Sequence, residues 1–129
     1  LSSYLELSVT ALRRGQMAQA ADLIGSGFED AVQIGHLFSQ LQFALLAACH
    51  GGMHAPEEAA RLSGAVEAIS QRHGLALLNG DIHRSAMKLL ADVLGPAAFA
   101  AAQLQGTVLS QEQFRELTLA VLKRPARTG

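Results

Sequence analysis

The sequence predicts an all-α protein of about seven helices, and composition and punctuation both support this fold class. Ala and Leu, which are strong helix formers, supply 44 of the 129 residues, whereas Val, Ile and Thr supply only 14. Gly and Pro divide the chain into blocks of helical length, and apolar residues recur at helical spacing within those blocks. We therefore expect one helical domain over residues 1–122, followed by a tail or linker over 124–129.

The first two helices are bounded by a cap and by glycines. The first, from Ser3 to about Arg13, opens at a serine that has capping-box spacing with Glu6. The second is predicted over Gln16–Ile34 and stops before a glycine. Gly25 and Gly27 leave open whether this second helix is continuous, kinked or split.

The third and fourth helices form a second predicted hairpin, at about 37–74. The third runs from Leu37 to about Cys49 and carries an apolar face at helical spacing. The fourth begins at Pro56, because proline suits the first helical position. Glu57 and Glu58 follow in its first turn, where acidic side chains stabilise the helix dipole.

The fourth helix presents two ridges of different side-chain size. The larger apolar residues form a stripe at Ala59, Leu62, Val66 and Ile69. Small residues form a second ridge, at Ala60, Gly64 and Ala68, which would let a neighbouring helix approach closely. We expect four of these residues to be packing positions: Ala60, Leu62, Gly64 and Ala68.

Three shorter helices are predicted in the last third of the chain. The fifth, Asp81–Leu94, is expected to bury one apolar face, made of Ile82, Ala86, Leu89, Leu90 and Val93. The sixth runs from Ala97 to about Gln105. The seventh follows Ser110, which has capping-box spacing with Gln113, and ends near Lys123.

A period near forty residues relates these helices as hairpins. Gly15-x-Met17-x-x-Ala20 has counterparts at Ala55, Glu57 and Ala60, and a third copy near Gly95, Pro96 and Ala100. The pattern resembles part of the tetratricopeptide motif, with Gly15 at an inter-helix turn and Ala20 at a helix crossing. The units would be antiparallel hairpins at about 3–35, 37–74 and 81–106, followed by a final helix at 110–123. Since such hairpins bury both faces only by stacking, we expect a tetratricopeptide-like, right-handed α-solenoid.

A histidine pair superficially resembles a metal site. His50 and His54 are four residues apart, and Cys49 is adjacent. Gly51-Gly52, however, should end the helix that would align the pair, and no second Cys or carboxylate cluster completes a ligand set. We expect histidines that line a turn and no metal; small-ligand or metal binding through these turns is the alternative.

No other motif predicts chemistry in this segment. There is no phosphate-binding loop, no Gly-x-Ser-x-Gly nucleophile turn and no sign of an activated thiolate at Cys49. Glu57 and Glu58 are explained by their place in a helix first turn. We therefore expect no enzyme activity, no catalytic residue and no cofactor in this segment.

Charge and hydropathy exclude several classes of partner. The net charge is −1, which gives no electrostatic footprint for nucleic acid or an anionic membrane. The basic clusters Arg13-Arg14 and Lys123-Arg124-Arg127 are small and are expected to be solvated helix ends. No apolar run has the ~18 residues of a membrane span, and a single Cys suits a reducing cytoplasm.

Two longer segments resemble a known family. Residues 56–69, with Gly74, are similar to an Ala-Arg-Leu-x-Gly-Ala-x-Glu-Ala-Leu helix. Residues 94–113 are similar to a Leu-Gly-x-x-x-Phe segment followed by Gly-x-x-Leu-Ser-x-Glu-x, with Phe99 as the aromatic position. Both occur in the tetratricopeptide-like tails of LuxR-type and MalT-like bacterial transcriptional regulators and related predicted signal-transduction ATPases. The resemblance is clear over 55–122 and looser over 3–54, and it adds Phe99 to the expected packing positions.

The resemblance implies a regulatory or sensor module. In that family the helical repeats bind a protein or small effector on a concave face and couple an NTPase domain to a helix-turn-helix domain; any ATP would belong to the upstream domain. The alternative is the same module in a signalling ATPase or cyclase-type protein, or a standalone adaptor without DNA binding. The start at Leu1 and the basic, Pro-containing end lead us to expect a segment of a longer protein. An uncapped end of a solenoid would also favour a homodimer.

Overall fold

Seven α-helices make up the computed structural model, which describes residues 2–52, 54–78 and 80–123 and contains no strand within those ranges. The all-α prediction of seven helices is confirmed. The helices are α1 (Ser2–Arg13), α2 (Met17–Ile34), α3 (Leu37–Gly51), α4 (Pro56–Arg72), α5 (Gly80–Leu94), α6 (Pro96–Gly106) and α7 (Gln111–Lys123).

Local signals set most helix ends where they are expected. Gly35 ends α2 in the left-handed conformation (φ 70°, ψ 28°), which glycine adopts without steric cost. The predicted capping box of α7 forms in full: the Gln113 amide donates to Ser110 Oγ, and the Ser110 amide donates to Gln113 Oε1. At α1 the prediction was wrong by one residue, because the helix begins at Ser2 and Ser3 lies inside it.

Helix α3 lies at the centre of the molecule. It packs against α1, α2, α4, α5 and α7, and every residue from Gln40 to Ala48 is buried. The single apolar face predicted for this helix is therefore too narrow. A helix that is apolar on nearly all sides has to be covered on all sides, and the other helices provide that cover.

Most helices pack on their neighbours in sequence: α1 on α2, α2 on α3, α3 on α4, α4 on α5 and α5 on α6. Three contacts skip one helix, α1 with α3, α3 with α5 and, most extensively, α4 with α6. α7 returns over a longer distance in the chain to contact α2, α3 and α4. The last helix thus closes the main core against the first half of the chain.

Two glycines allow α4 and α6 to cross at close range. A Cβ on Gly64 would overlap the backbone carbonyl of Gln103, and one on Gly106 would overlap the backbone carbonyl of Arg61. The two helices therefore approach each other backbone to backbone. A smaller second core lies beside this crossing and consists of Ala59, Ala60, Leu90 and Ala102.

Two further expectations are settled by packing. α2 is one continuous helix; a Cβ on Gly27 would overlap the ring of Phe43, so this glycine makes room for α3. The predicted buried face of α5 is wrong in part: Leu90 is buried, but Leu89 and Val93 are 40% and 58% exposed. None of the helices formed by the described residues is long and apolar enough to cross a membrane.

Candidate functional site

An open groove of about 540 Å³ runs between α2 and α7. Its two walls are held together by an edge-to-face contact between the rings of Phe28 and Phe114, whose centroids are 5.9 Å apart at 72°. Phe28 is almost completely buried and forms the floor together with the half-buried Val32 and Leu119. The bottom of the groove is therefore apolar.

The rim of the groove is acidic. Glu29 and Asp30 of α2 and Glu112 and Glu116 of α7 line it, and all four side chains belong to exposed residues. The ion pairs among the described residues are Arg13–Asp81 and Arg61–Glu57, so none of these four carboxylates is neutralised by a salt bridge there. Arg115 is the one basic residue among those that line the groove.

Helical spacing brings the groove residues of each wall to one face. Phe28 and Val32 are four residues apart on α2, and Glu112, Glu116 and Leu119 follow intervals of four and three on α7. Each wall thus combines an apolar base with acidic side chains above it. Such a groove is suited to a segment with an apolar stripe flanked by basic side chains.

The predicted packing residues lie elsewhere in the molecule, and none of them lines the groove. Ala20, Ala60 and Leu62 are fully buried, and Gly64 lies in the crossing of α4 with α6. Ala68 and Phe99 are half-buried. Gly15 is exposed and occupies the α1–α2 turn with φ 71°.

The histidine pair holds helices together. His50 Nε2 lies 3.0 Å from the carbonyl oxygen of Met17, and His54 Nε2 lies 3.3 Å from that of Val121. Because a carbonyl oxygen only accepts, both Nε2 atoms donate. Through these two bonds, the end of α3 and the turn after it are tied to the start of α2 and the end of α7.

The environment of this pair disfavours charge. Burial lowers the pKa of His50, and the nearby His54 lowers it further, against the opposing effect of the hydrogen bond to Met17. Burial also raises the pKa of the Cys49 thiol to about 12, so the thiol is protonated near neutral pH. Among the residues that the structure describes, no three His, Cys, Asp or Glu side chains come together as metal ligands.

Two of the charged residues singled out in the sequence, Glu57 and Arg13, form ion pairs. Glu57 accepts a hydrogen bond from Arg61 at 3.2 Å within α4. Arg13 donates to Asp81 at 3.0 Å, and this hydrogen bond lowers the pKa of the Asp81 carboxyl. Of the second basic cluster, Arg124 and Arg127 lie outside the described residues.

Sequence reasoning missed the groove because its walls are distant in the chain. About 80 residues separate Phe28 from Glu112. The helical spacing of the α7 residues was the available signal, but it does not say which helix lies opposite. No family model, curated protein or solved structure matches this chain. A function is therefore inferred from the groove and from the resemblance of the sequence.

Proposed function

We propose that this chain is a regulatory module of a larger bacterial transcriptional regulator and that it binds a protein segment in the groove between α2 and α7. The observation that carries the proposal is the combination of an apolar floor with an unneutralised acidic rim. The sequence resemblance over 56–69 and 94–113 supports the regulatory context. In that context the module couples an adjoining NTPase domain to a helix-turn-helix domain, and its own contribution is binding rather than catalysis.

The proposed architecture of the module is a tetratricopeptide-like, right-handed α-solenoid. Contacts of α1 with α3, of α3 with α5 and of α4 with α6 support a stack of hairpins, since such stacks bring equivalent helices of successive units together. In this proposal α7 is an added helix that crosses the stack and, with α2, creates the binding groove.

The partner that fits the groove best is a basic amphipathic helix. Its apolar stripe would lie on Val32 and Leu119, above the buried Phe28, and Lys or Arg side chains on either flank would face the acidic rim. Apolar anchors of this kind supply most of the affinity, while complementary charges set orientation and the rate of association. Binding should therefore weaken as salt screens the exposed charges.

Binding of designed peptides tests this groove directly. The probe is a labelled helical peptide with Leu at positions i, i+3, i+4 and i+7 and Lys on both flanks; its counterpart carries Glu in place of Lys. Fluorescence anisotropy at low salt should show binding of the basic peptide and none of the acidic peptide. Equal binding of the two peptides would contradict the proposed groove chemistry.

A matched pair of double variants assigns the binding to the groove. Glu29→Gln with Glu116→Gln removes two rim charges. The affinity for the basic peptide should fall about tenfold, because two charge contacts are lost at a site that the bound peptide partly desolvates. Glu6→Gln with Asp92→Asn removes two exposed acidic charges outside the groove and should leave the affinity nearly unchanged. Equal losses in the two variants would point to net charge alone.

The regulatory context is tested by the coding region on both sides of this segment. A phosphate-binding loop motif upstream and a helix-turn-helix pattern downstream would support the transcriptional assignment. Catalytic signalling domains in their place would favour the signalling ATPase or cyclase-type protein instead. A start codon before Leu1 and a stop codon after Gly129 would leave a small adaptor and would contradict the transcriptional part of the proposal.

A further inference from the structure

A second cavity, of about 420 Å³, adjoins the groove, and Val32 and Arg115 line both. It is enclosed by the ends of α2 and α4 and by the beginnings of α3 and α7. It is lined by two guanidinium groups, of Arg72 at the end of α4 and Arg115 on α7, and by the imidazole of His73. The rest of the lining combines apolar residues, among them Leu37, Ile69 and Leu109, with the glutamines Gln40 and Gln111.

The arginines at this cavity form no salt bridge with the described residues. No acidic residue is among the described residues that line it, and neither Arg72 nor Arg115 takes part in one of the ion pairs found there. The one hydrogen bond of Arg72 is a long contact of 3.4 Å from Nε to the carbonyl oxygen of Ala68. Two guanidinium groups at one cavity repel each other unless an anion lies between them.

A buried glutamine adds an unsatisfied acceptor to the same wall. Gln40 is 5% exposed, and its Nε2 donates to the Ala31 carbonyl at 3.4 Å. Its Oε1 accepts no hydrogen bond from any residue that the structure describes. A buried carbonyl oxygen needs a donor, which a carboxylate or a phosphate dianion does not supply, so Gln40 Oε1 is not a contact of an oxyanion and the arginines have to hold it.

Helix dipoles do not determine the sign of the electrostatic potential in the cavity. Leu37 and Gln111 place the positive ends of α3 and α7 at its wall, but Gly35 and His73 place the negative ends of α2 and α4 there as well. These contributions oppose one another. The two arginines therefore determine which ligands are attracted.

We propose that this cavity binds a small organic oxyanion, a phosphate monoester or a carboxylate. The oxyanion would accept hydrogen bonds from Arg72 and Arg115, which recognise such groups with paired donors. The organic part would lie against Leu37, Ile69 and Leu109. The volume of about 420 Å³ is in the range of small-molecule sites and exceeds the need of a free inorganic ion.

Calorimetric titration with phenyl phosphate tests this site. Phenyl phosphate should bind at least about tenfold more tightly than inorganic phosphate or phenol, because only it offers both the oxyanion and an apolar ring. A second titration, with benzoate, shows whether the site prefers a carboxylate or a phosphate. Binding of phenyl phosphate no tighter than that of inorganic phosphate would overturn the proposal.

Arginine variants show whether phenyl phosphate binds in the cavity, and they distinguish this binding from peptide binding in the groove. Arg72 lines the cavity and not the groove. Arg72→Gln should therefore lower the affinity for phenyl phosphate about tenfold and leave the affinity for the basic peptide unchanged. Arg14→Gln, which removes an exposed charge on the α1–α2 turn, is the matched control and should change neither affinity. Equal effects of Arg72→Gln and Arg14→Gln on phenyl phosphate would overturn the assignment. Thermal unfolding of both variants without ligand checks that each is folded.

Discussion

Gly64 is one of the two glycines at which α4 and α6 approach each other backbone to backbone. Any side chain there would have to displace the backbone of α6 at Gln103, and backbone cannot move aside as a flexible side chain can. We predict that Gly64→Leu lowers the free energy of unfolding by roughly 1–3 kcal/mol, in the range seen for overpacked sites. Urea denaturation provides the measurement, and an unchanged midpoint would refute the close crossing.

Gly25 supplies a control of the same residue type and secondary structure. A Cβ there would lie 3.8 Å from Leu122 Cδ1, which is ordinary van der Waals contact. Because alanine is favoured over glycine within helices, Gly25→Ala should raise the free energy of unfolding by about 0.5–1 kcal/mol. Gly64→Ala, by contrast, should lower it. Changes of the same sign in the two alanine variants would show that helix propensity, not helix crossing, dominates.

His50 makes stability depend on pH. Burial lowers its pKa below the ordinary value of 6.5, so the unfolded chain binds this proton at a higher pH than the folded chain does. The stabilisation is complete above about pH 6.5 and is lost as the pH falls through that value. Burial also lowers the pKa of His83, which adds an effect of the same sign. We expect the free energy of unfolding, measured by urea titration, to decrease on acidification.

Substitution separates the contribution of His50 from that of the other histidines. His50→Leu removes the titrating group and should flatten the pH profile of the unfolding free energy, whatever its effect on absolute stability. An unaltered slope in His50→Leu would assign the pH dependence to other groups.

At the scale of elements, α7 is held to the main core by one face. Phe114, Thr118 and Val121 are buried at helical spacing, and Val121 fills the space left by Gly51. We predict that Phe114→Ala lowers the free energy of unfolding by about 3–5 kcal/mol, since it empties a buried aromatic site against Phe28. Leu104→Ala, at a residue 70% exposed, should change it by less than about 0.5 kcal/mol. Similar losses would mean that α7 is not anchored by this face.

Helix ends were predictable from the sequence because their causes are local. Gly35, Pro56 and the Ser110–Gln113 box act on the backbone within a turn, so their neighbours in the chain are sufficient to identify them. Burial is different, since it requires a partner from elsewhere. Periodicity predicted one buried face of α5, but it could not show which of those positions a neighbouring helix covers: Leu90 is buried, whereas Leu89 and Val93 are exposed.

The candidate sites were not predictable for the same reason. In the sequence, basic residues stand out only as adjacent clusters, such as Arg13-Arg14. Arg72 and Arg115 are 43 residues apart and line the same cavity because α7 packs back on α4. The groove likewise depends on how α7 packs across α2. The residues predicted to matter, such as Gly64 and Leu62, support the fold that makes these sites possible.

At the scale of the whole molecule, a net charge of −1 conceals two regions of opposite sign. The acidic groove and the basic cavity adjoin each other, and Val32 and Arg115 line both. An anion bound in the cavity would neutralise Arg115 and thereby make the groove more negative. The two proposed ligands should then favour each other, and by linkage each should raise the affinity of the other by the same factor.

The size of this coupling follows from the charges involved. In water at low salt, one unit charge changes the interaction energy with a peptide charge about 10 Å away by about 0.4 kcal/mol. Saturating phenyl phosphate should therefore raise the affinity for the basic peptide about twofold. Because exposed charges are screened, the effect should fade as the salt concentration rises. Peptide affinity that is the same with and without phenyl phosphate at low salt would show that the two sites act independently.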